Sequence, residues 1–447
     1  MGSYSSKFPM LFGLFDSVEK KMRTNAANWL ELSEKVYHYR RDLMSAAELG
    51  SLQQATETVR QQLRAKADSS KLKLGIESLE GVLRKVGGTH YPKSSWTENV
   101  EFFLVAAIVI LGVRAYFVQP FKIPTNSMWP SYNGMTPEVF ATPADEPNTA
   151  MRAVRFVMLG ARPRVLNAPD DGEILLPIDG SQGRGVVKYQ DVPGRSWGVF
   201  PARQREYRIL VGDRQVVTQV PIDFDFDWVI RDAFFPGAKT LTDGLRTKLA
   251  NGEFVDREVP TGGGLSERVR FIRTGRMVKA GERVLSFDIL TGDQLFVDRV
   301  SYNFVRPKVG DGFVFHTGNI PVLGDSQGDQ YYIKRLVGTP GDVMEIKEPV
   351  LYRNGKPITG APAFAQNAKR TGTYTGYFNG TPRPDYPNAQ LFLGQQITVP
   401  ARSYLPMGDN SANSLDGRYW GFVKDKDVVG RPLCIYYPFS KRWGIAP

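Results

Sequence analysis

The sequence predicts a mainly β protein behind one transmembrane helix, with a helical region in front of it. Three observations predict this. Residues 1–98 are polar, with apolar side chains at helical spacing; one uncharged stretch follows at 102–113; beyond it, short runs of Val, Ile, Phe and Tyr alternate with Gly, Pro and Asp. At 447 residues, 42% hydrophobic and 23% charged, the chain has room for two or three domains with cores of their own. That composition excludes a disordered chain and a polytopic membrane protein.

In the first region, Leu72, Ile76, Leu79, Leu83 and Val86 recur three or four residues apart and form one apolar stripe. Val59 and Leu63 continue the pattern upstream. Gly87 and Gly88 stop the helix, and Pro92 keeps it stopped. The expectation for residues 1–98 is a helical hairpin packing on itself. The apolar opening, residues 8–15, is too short to span a bilayer.

Residues 99–118 form the expected anchor. Its apolar part, 102–118, would reach roughly 25 Å as a helix at about 1.5 Å per residue, the short end of a span. Glu101 marks one end, and Arg114 can snorkel at the other. Lys71, Lys73, Arg84, Lys85 and Lys93 precede the segment, whereas after Arg114 only Lys122 appears before Arg152. The positive-inside rule therefore puts the N-terminus in the cytoplasm and the rest outside, in a single pass. So far from the start, the segment reads as an uncleaved anchor.

Beyond it, strands are expected at residues 296–300, 312–315, 331–337, 343–346 and 396–399, with a hairpin turn at Asn354-Gly355. Residues 221–228 alternate acid and aromatic like a half-buried strand, for which Asp223, Asp225 and Asp227 need no bound cation. The Gly- and Ser-rich residues 180–185 read as a loop, because no strand-turn-helix context makes them a nucleotide fingerprint.

The net charge of +11 permits anionic partners, but no basic run with interleaved aromatics points to nucleic acid; the lipid bilayer is the better fit. Cys434, the one cysteine, lies in an apolar run and reads as a structural thiol. His38, His90 and His316 are isolated, so neither a metal site nor any other cofactor is expected.

Three segments carry candidate chemistry. Ser127 sits in a Pro-framed loop about nine residues past the anchor; alone, it is a turn residue. Lys334 lies inside an apolar strand, where desolvation would lower its pKa toward that of a usable base; alone, it is a snorkelling lysine. Residues 408–423 form a loop dense in small polar groups, in which Asp416 and Arg418 could pair.

Together the segments resemble the boxes of bacterial signal peptidase I, in the same order. The matching stretches are VRAYF (113–117), IPTNSM (123–128), GDQLFVDR (292–299), KVGDGFVF (308–315), YIKR (332–335), GTPGD (338–342) and the 408–423 loop. The resemblance implies a Ser–Lys dyad protease that cuts signal peptides from secretory preproteins after Ala-x-Ala-like sites, in the bacterial inner membrane. By that resemblance Ser127 is the nucleophile and Lys334 the general base. Thr125 completes the oxyanion hole with the backbone N–H of Ser127, Ser414 hydrogen-bonds the lysine, and Asp416 with Arg418 braces the loop. Phe121, Ile123, Pro124, Met128, Tyr332 and Ile333 would line the substrate pockets.

The catalytic β domain would then be residues 119–132 and 292–447, interrupted by a β-rich insertion at 133–291 far longer than typical members carry. The long polar region before a single span and Asn126 between Thr125 and Ser127 are further departures. The resemblance covers neither residues 1–98 nor the insertion, whose surface is open to a partner that the sequence does not identify. Two other readings keep part of the pattern: a non-catalytic tethered scaffold, and a self-cleaving Ser–Lys regulator. The intact dyad counts against the first, and the anchor against the second.

Overall fold

A computed structural model describes residues 17–92, 95–179, 186–196, 200–260, 266–320, 323, 329–382, 386 and 389–447. Residues 8–15 and 180–185, singled out above, lie outside the described residues. The chain divides into two compact units, Met1–Leu111 and Gly112–Pro447.

In the first unit, helices Val18–Arg40, Ala46–Arg64 and Ser69–Val86 share one core. That is one helix more than the expected hairpin. Ala26, Trp29, Leu32 and Val36 add a third stripe against Leu52, Val59, Leu72, Ile76, Leu79 and Leu83. Ser17, Ser45 and Asp68 cap the three starts, Ser45 in a reciprocal box with Glu48. A further helix, Ser95–Tyr116, includes a stretch, Asn99–Tyr116, long and apolar enough to cross a membrane. Val118, expected as the last residue of the span, instead opens the strand Val118–Lys122.

The second unit is built on an eight-stranded antiparallel sheet. Its order is Val118–Lys122, Gln294–Asp298, Val428–Tyr437, Gly312–His316, Tyr331–Gly338, Ser403–Met407 and Val423–Lys424, with Gly444–Ile445 paired to Val428–Tyr437. Pro120 is tolerated because its strand lies at the sheet edge. Beside this sheet, Lys356–Pro357, Val350–Arg353, Val343–Lys347 and Gln396–Thr398 make a four-stranded one. Its turn has positive φ at Asn354 (52°) and Gly355 (73°), as the Asn-Gly pair predicts.

The insertion leaves and rejoins this frame at one point. Asn133 N–H donates to Asp293 Oδ2 and Asp293 N–H to Asn133 O, each at 2.8 Å. Gly292 sits where any Cβ would strike Ile123 O, so the two ends close side by side. Between them lie a three-stranded sheet (Thr136–Val139, Arg283–Leu290, Arg162–Asn167) and a seven-stranded one. The two share a core that includes Ile174, Ile209, Phe224, Phe226, Ile272 and Phe287.

Residues 221–228 are not a strand. The strand Arg214–Pro221 ends in a turn, and Phe226–Phe234 is a helix. The acid–aromatic alternation hid a helical stripe, Phe226, Val229 and Ile230, whose three side chains are buried.

Candidate active site

The strand Tyr331–Gly338 is paired on both edges, with Phe313 opposite Lys334 and Met407 opposite Arg335. Successive side chains point to opposite faces, so Lys334 and Arg335 part company. Lys334 is 4% exposed, with its Nζ 5.5 Å from the centre of the Tyr332 ring and 2.5 Å from Ser127 Oγ. Residues 207 positions apart in sequence thus form one hydrogen-bonded pair. Burial pushes the amine down from its usual value to about 8; the charge of Arg418 adds to this, and Asp416 and Asp409 oppose it. At this distance a charged ammonium donates to Oγ, whereas a neutral amine accepts the hydroxyl proton, as a base must.

Ser127 is held from several sides. Asn410 N–H donates to Ser127 O at 3.1 Å, and Asn410 Nδ2 to Asn126 O at 3.0 Å. Asn126 is buried; its Nδ2 donates to Met135 O and its Oδ1 accepts from Gly134 N–H, both at 2.9 Å. The departure noted in sequence therefore adds two hydrogen bonds that join the serine loop to the start of the insertion. Gly408 is needed opposite, because a Cβ there would strike both Ser127 O and Ser414 Oγ.

The 408–423 loop turns on Arg418, which is 1% exposed at its side chain and makes a bidentate pair with the fully buried Asp416 at 2.8 and 2.9 Å. The guanidinium also donates to Phe378 O at 2.8 Å and Ser411 O at 2.7 Å, and Asp416 Oδ2 accepts from Gly408 N–H at 2.9 Å. Burial alone would raise the Asp416 carboxyl, but the charge and hydrogen bonds of Arg418 hold it below its usual value.

Other expected residues fall differently. Ser414 is buried beside Gly408, but its hydroxyl has no hydrogen-bond partner, so the expected bond to the lysine is not formed. Lys334 is aimed instead by its strand and by Ser127 itself. Thr125 is exposed in the serine loop. Ile123 and Met128 are buried with Tyr132, Leu295 and Val314, so Met128, wholly covered, has no surface for a ligand to touch. Phe121, Tyr332 and Ile333 are half-buried and Pro124 is exposed, which leaves these four accessible.

Two features went unseen in the sequence. On the face of the strand opposite Lys334, Arg335 forms a buried ion pair with Asp409 at 2.6 Å. Only the strand register could have revealed that pairing. The insertion also reaches the site: the Trp228 ring meets Trp129 edge-on, with centroids 5.2 Å apart, and Asn413 Nδ2 donates to Asp225 Oδ2 at 3.2 Å. Both loops that carry the site therefore touch one corner of the insertion.

Residues 283–437 match the family described as signal peptidase, peptidase S26. Among similar proteins, "Probable signal peptidase I-1" of Synechocystis sp. is 31% identical over 153 residues, covering 34% of this chain and 66% of that protein. Signal peptidase IB of Staphylococcus aureus (strain COL) is 35% identical over 146 residues, 32% of this chain and 71% of that protein. A crystal structure of a signal peptidase I from Enterococcus faecalis V583 aligns at 27% identity over 28% of this chain and 97% of that one, with a TM-score of 0.19. The chain spans 61% to 77% of the length of the curated relatives it matches.

Proposed function

Because the chain belongs to the signal peptidase I family, we propose that it is a membrane-bound serine endopeptidase that removes N-terminal signal peptides from exported preproteins. The observation that carries this reading is the 2.5 Å contact between Ser127 Oγ and the buried Lys334 Nζ. Neutral Lys334 takes the Oγ proton as Oγ attacks the scissile carbonyl, and the resulting ammonium gives that proton to the leaving amine. A water then hydrolyses the acyl-enzyme, with the same amine as base. The backbone N–H of Ser127 and the Thr125 hydroxyl stabilise the oxyanion.

Phe121, Pro124, Tyr332 and Ile333 offer shallow apolar contacts suited to the small residues of an Ala-x-Ala site, with Ile123 and Met128 packed beneath them. Asn99–Tyr116 holds the unit at the bacterial inner membrane, with the N-terminus cytoplasmic and the catalytic β domain (residues 119–132 and 292–447) outside. A substrate tethered in the same bilayer meets the serine with fewer approach angles.

The test is cleavage of a preprotein by the protein reconstituted in vesicles, with the product termini read by mass spectrometry. A single cut after Ala-x-Ala is expected, and replacing the last alanine with leucine should lower kcat/KM by at least about 10²-fold. Scattered cuts indifferent to that alanine would overturn the assignment.

Gly408→Ala probes the geometry in the same assay. Displacing Ser127 by a fraction of an ångström should lower kcat/KM about 10²-fold, mostly in kcat. Unchanged kinetics would show that the close approach of the two loops is unimportant.

A further inference from the structure

Helix Thr149–Leu159 in the insertion is amphipathic but packed the wrong way round. Arg152, Arg155 and Leu159 are its half-buried positions, spaced three and four residues apart as one face. That inward face is tied down by charge: Arg155 pairs with Glu138 at 2.7 Å and with Asp288 at 2.8 Å, and Arg152 with Glu146 at 3.1 Å. Met151, Val154, Val157 and Met158 point away, 40% to 62% exposed. A helix on a soluble surface does the reverse, burying its apolar stripe and showing its arginines to water.

The apolar patch extends beyond the helix. Phe439 N–H donates to Met158 O at 2.9 Å, Tyr437 OH donates to Val157 O at 3.1 Å, and the Phe439 side chain is itself exposed. Trp443, four residues on, is exposed as well. An exposed apolar helix face with Phe439 held at its end calls for an apolar partner.

Its position along the chain says which. The helix ends beside Thr291, whose N–H donates to Leu159 O at 3.2 Å. Three residues later Gln294 pairs with Lys122, the last residue of the strand Val118–Lys122. That strand begins two residues after the apolar helix stops at Tyr116. Five strand residues cover roughly 17 Å, so the patch stays within a short reach of the anchor's end.

We propose that the outward face of Thr149–Leu159, with Phe439, lies in the lipid interface as a second membrane contact of the catalytic unit. Its covered occupant is the bilayer, in the manner of an interfacial helix whose polar side docks on protein instead of facing water. With one spanning anchor and one interfacial contact, the unit cannot pivot freely about the residues that follow Tyr116, and the cleft keeps one orientation toward membrane-embedded substrate.

The test uses the full-length chain with Cys434→Ser and one added cysteine, Val154→Cys or Val157→Cys, carrying an environment-sensitive fluorophore. The protein is reconstituted in phosphatidylcholine–phosphatidylglycerol vesicles containing nitroxide lipids. Both labels should shift to the blue and be quenched at least twofold by a shallow nitroxide. A label at Asp213→Cys, on an exposed turn of the insertion, should stay as in water. Val154→Asp combined with Val157→Asp should raise KM for a vesicle-borne preprotein at least fivefold and leave kcat/KM for a water-soluble peptide unchanged.

Labels that remain unquenched on protein that co-floats with the vesicles would overturn the proposal. So would a blue shift that follows protein density and ignores the nitroxide, since the face would then cover a second copy. The quenching needs no catalysis, so it stands apart from a failure of the proteolytic assignment.

Discussion

Lys334→Met is expected to leave a folded protein that cleaves preprotein at least about 10³-fold more slowly, yet unfolds at a higher temperature at neutral pH. The activity falls because the substitution removes the amine that stands 2.5 Å from Ser127 Oγ. The stability rises because a buried amine is a liability. Burial holds the folded-state value near 8, against 10.5 in an unfolded chain. Between those two values the unfolded chain binds a proton that the native chain lacks, so stability increases with pH across that window. Below about pH 8 the native state carries the full cost, about 3 kcal/mol by linkage, and an unbranched apolar side chain removes it. Steady-state kinetics and calorimetry on the same preparation check both halves. Ser127→Ala should match the kinetic loss without the stability gain.

Arg418→Met should destabilise the catalytic unit by about 3–5 kcal/mol, because it leaves the Asp416 carboxylate buried and unpaired. The guanidinium also satisfies the carbonyls of Phe378 and Ser411, so its loss unties the 408–423 loop both from itself and from the stretch at Phe378. Arg418→Lys should recover little, since an ammonium cannot reproduce the bidentate fork or reach the carbonyls as well. Replacing both partners, Asp416→Asn with Arg418→Met, should cost less than Arg418→Met alone. Denaturant unfolding of the three variants measures the coupling. Equal stability of Arg418→Met and wild type would contradict the bracing role.

Much of this site could be read before any coordinates. The Asp416–Arg418 pair lies two residues apart in one loop, and the Lys334 strand announces itself by its apolar neighbours. Contacts made by folding alone were out of reach. Arg335 and Asp409 are 74 residues apart and meet only because the strands Tyr331–Gly338 and Ser403–Met407 share a register. Ser414 illustrates the converse: family pattern gave it a bond to the lysine, but its hydroxyl is packed against Gly408 without a partner.

In the insertion, strand content was legible from composition, whereas the corner at Asp225–Trp228 was misread. Its period-two alternation is what a turn running into a helix produces when Phe224 and Phe226 both reach the core. That error mattered, because the same corner touches Trp129 and Asn413 beside the site. Burial, with the charge of Asp225, also raises Asp227 there to about 6. Helix Val18–Arg40 is illegible in the sequence for a simpler reason: Trp29, Leu32 and Val36 make a short stripe among many charges.

An amine whose charge burial disfavours, within reach of one hydroxyl, is the physical core of the proposed chemistry. The pH dependence of kcat/KM for one preprotein tests it most directly, because that quantity titrates the free enzyme. The expected profile rises with a single limb centred near pH 8, as the folded-state value of Lys334 requires. A profile flat through that region, or one rising only near the ordinary lysine value of 10.5, would contradict it.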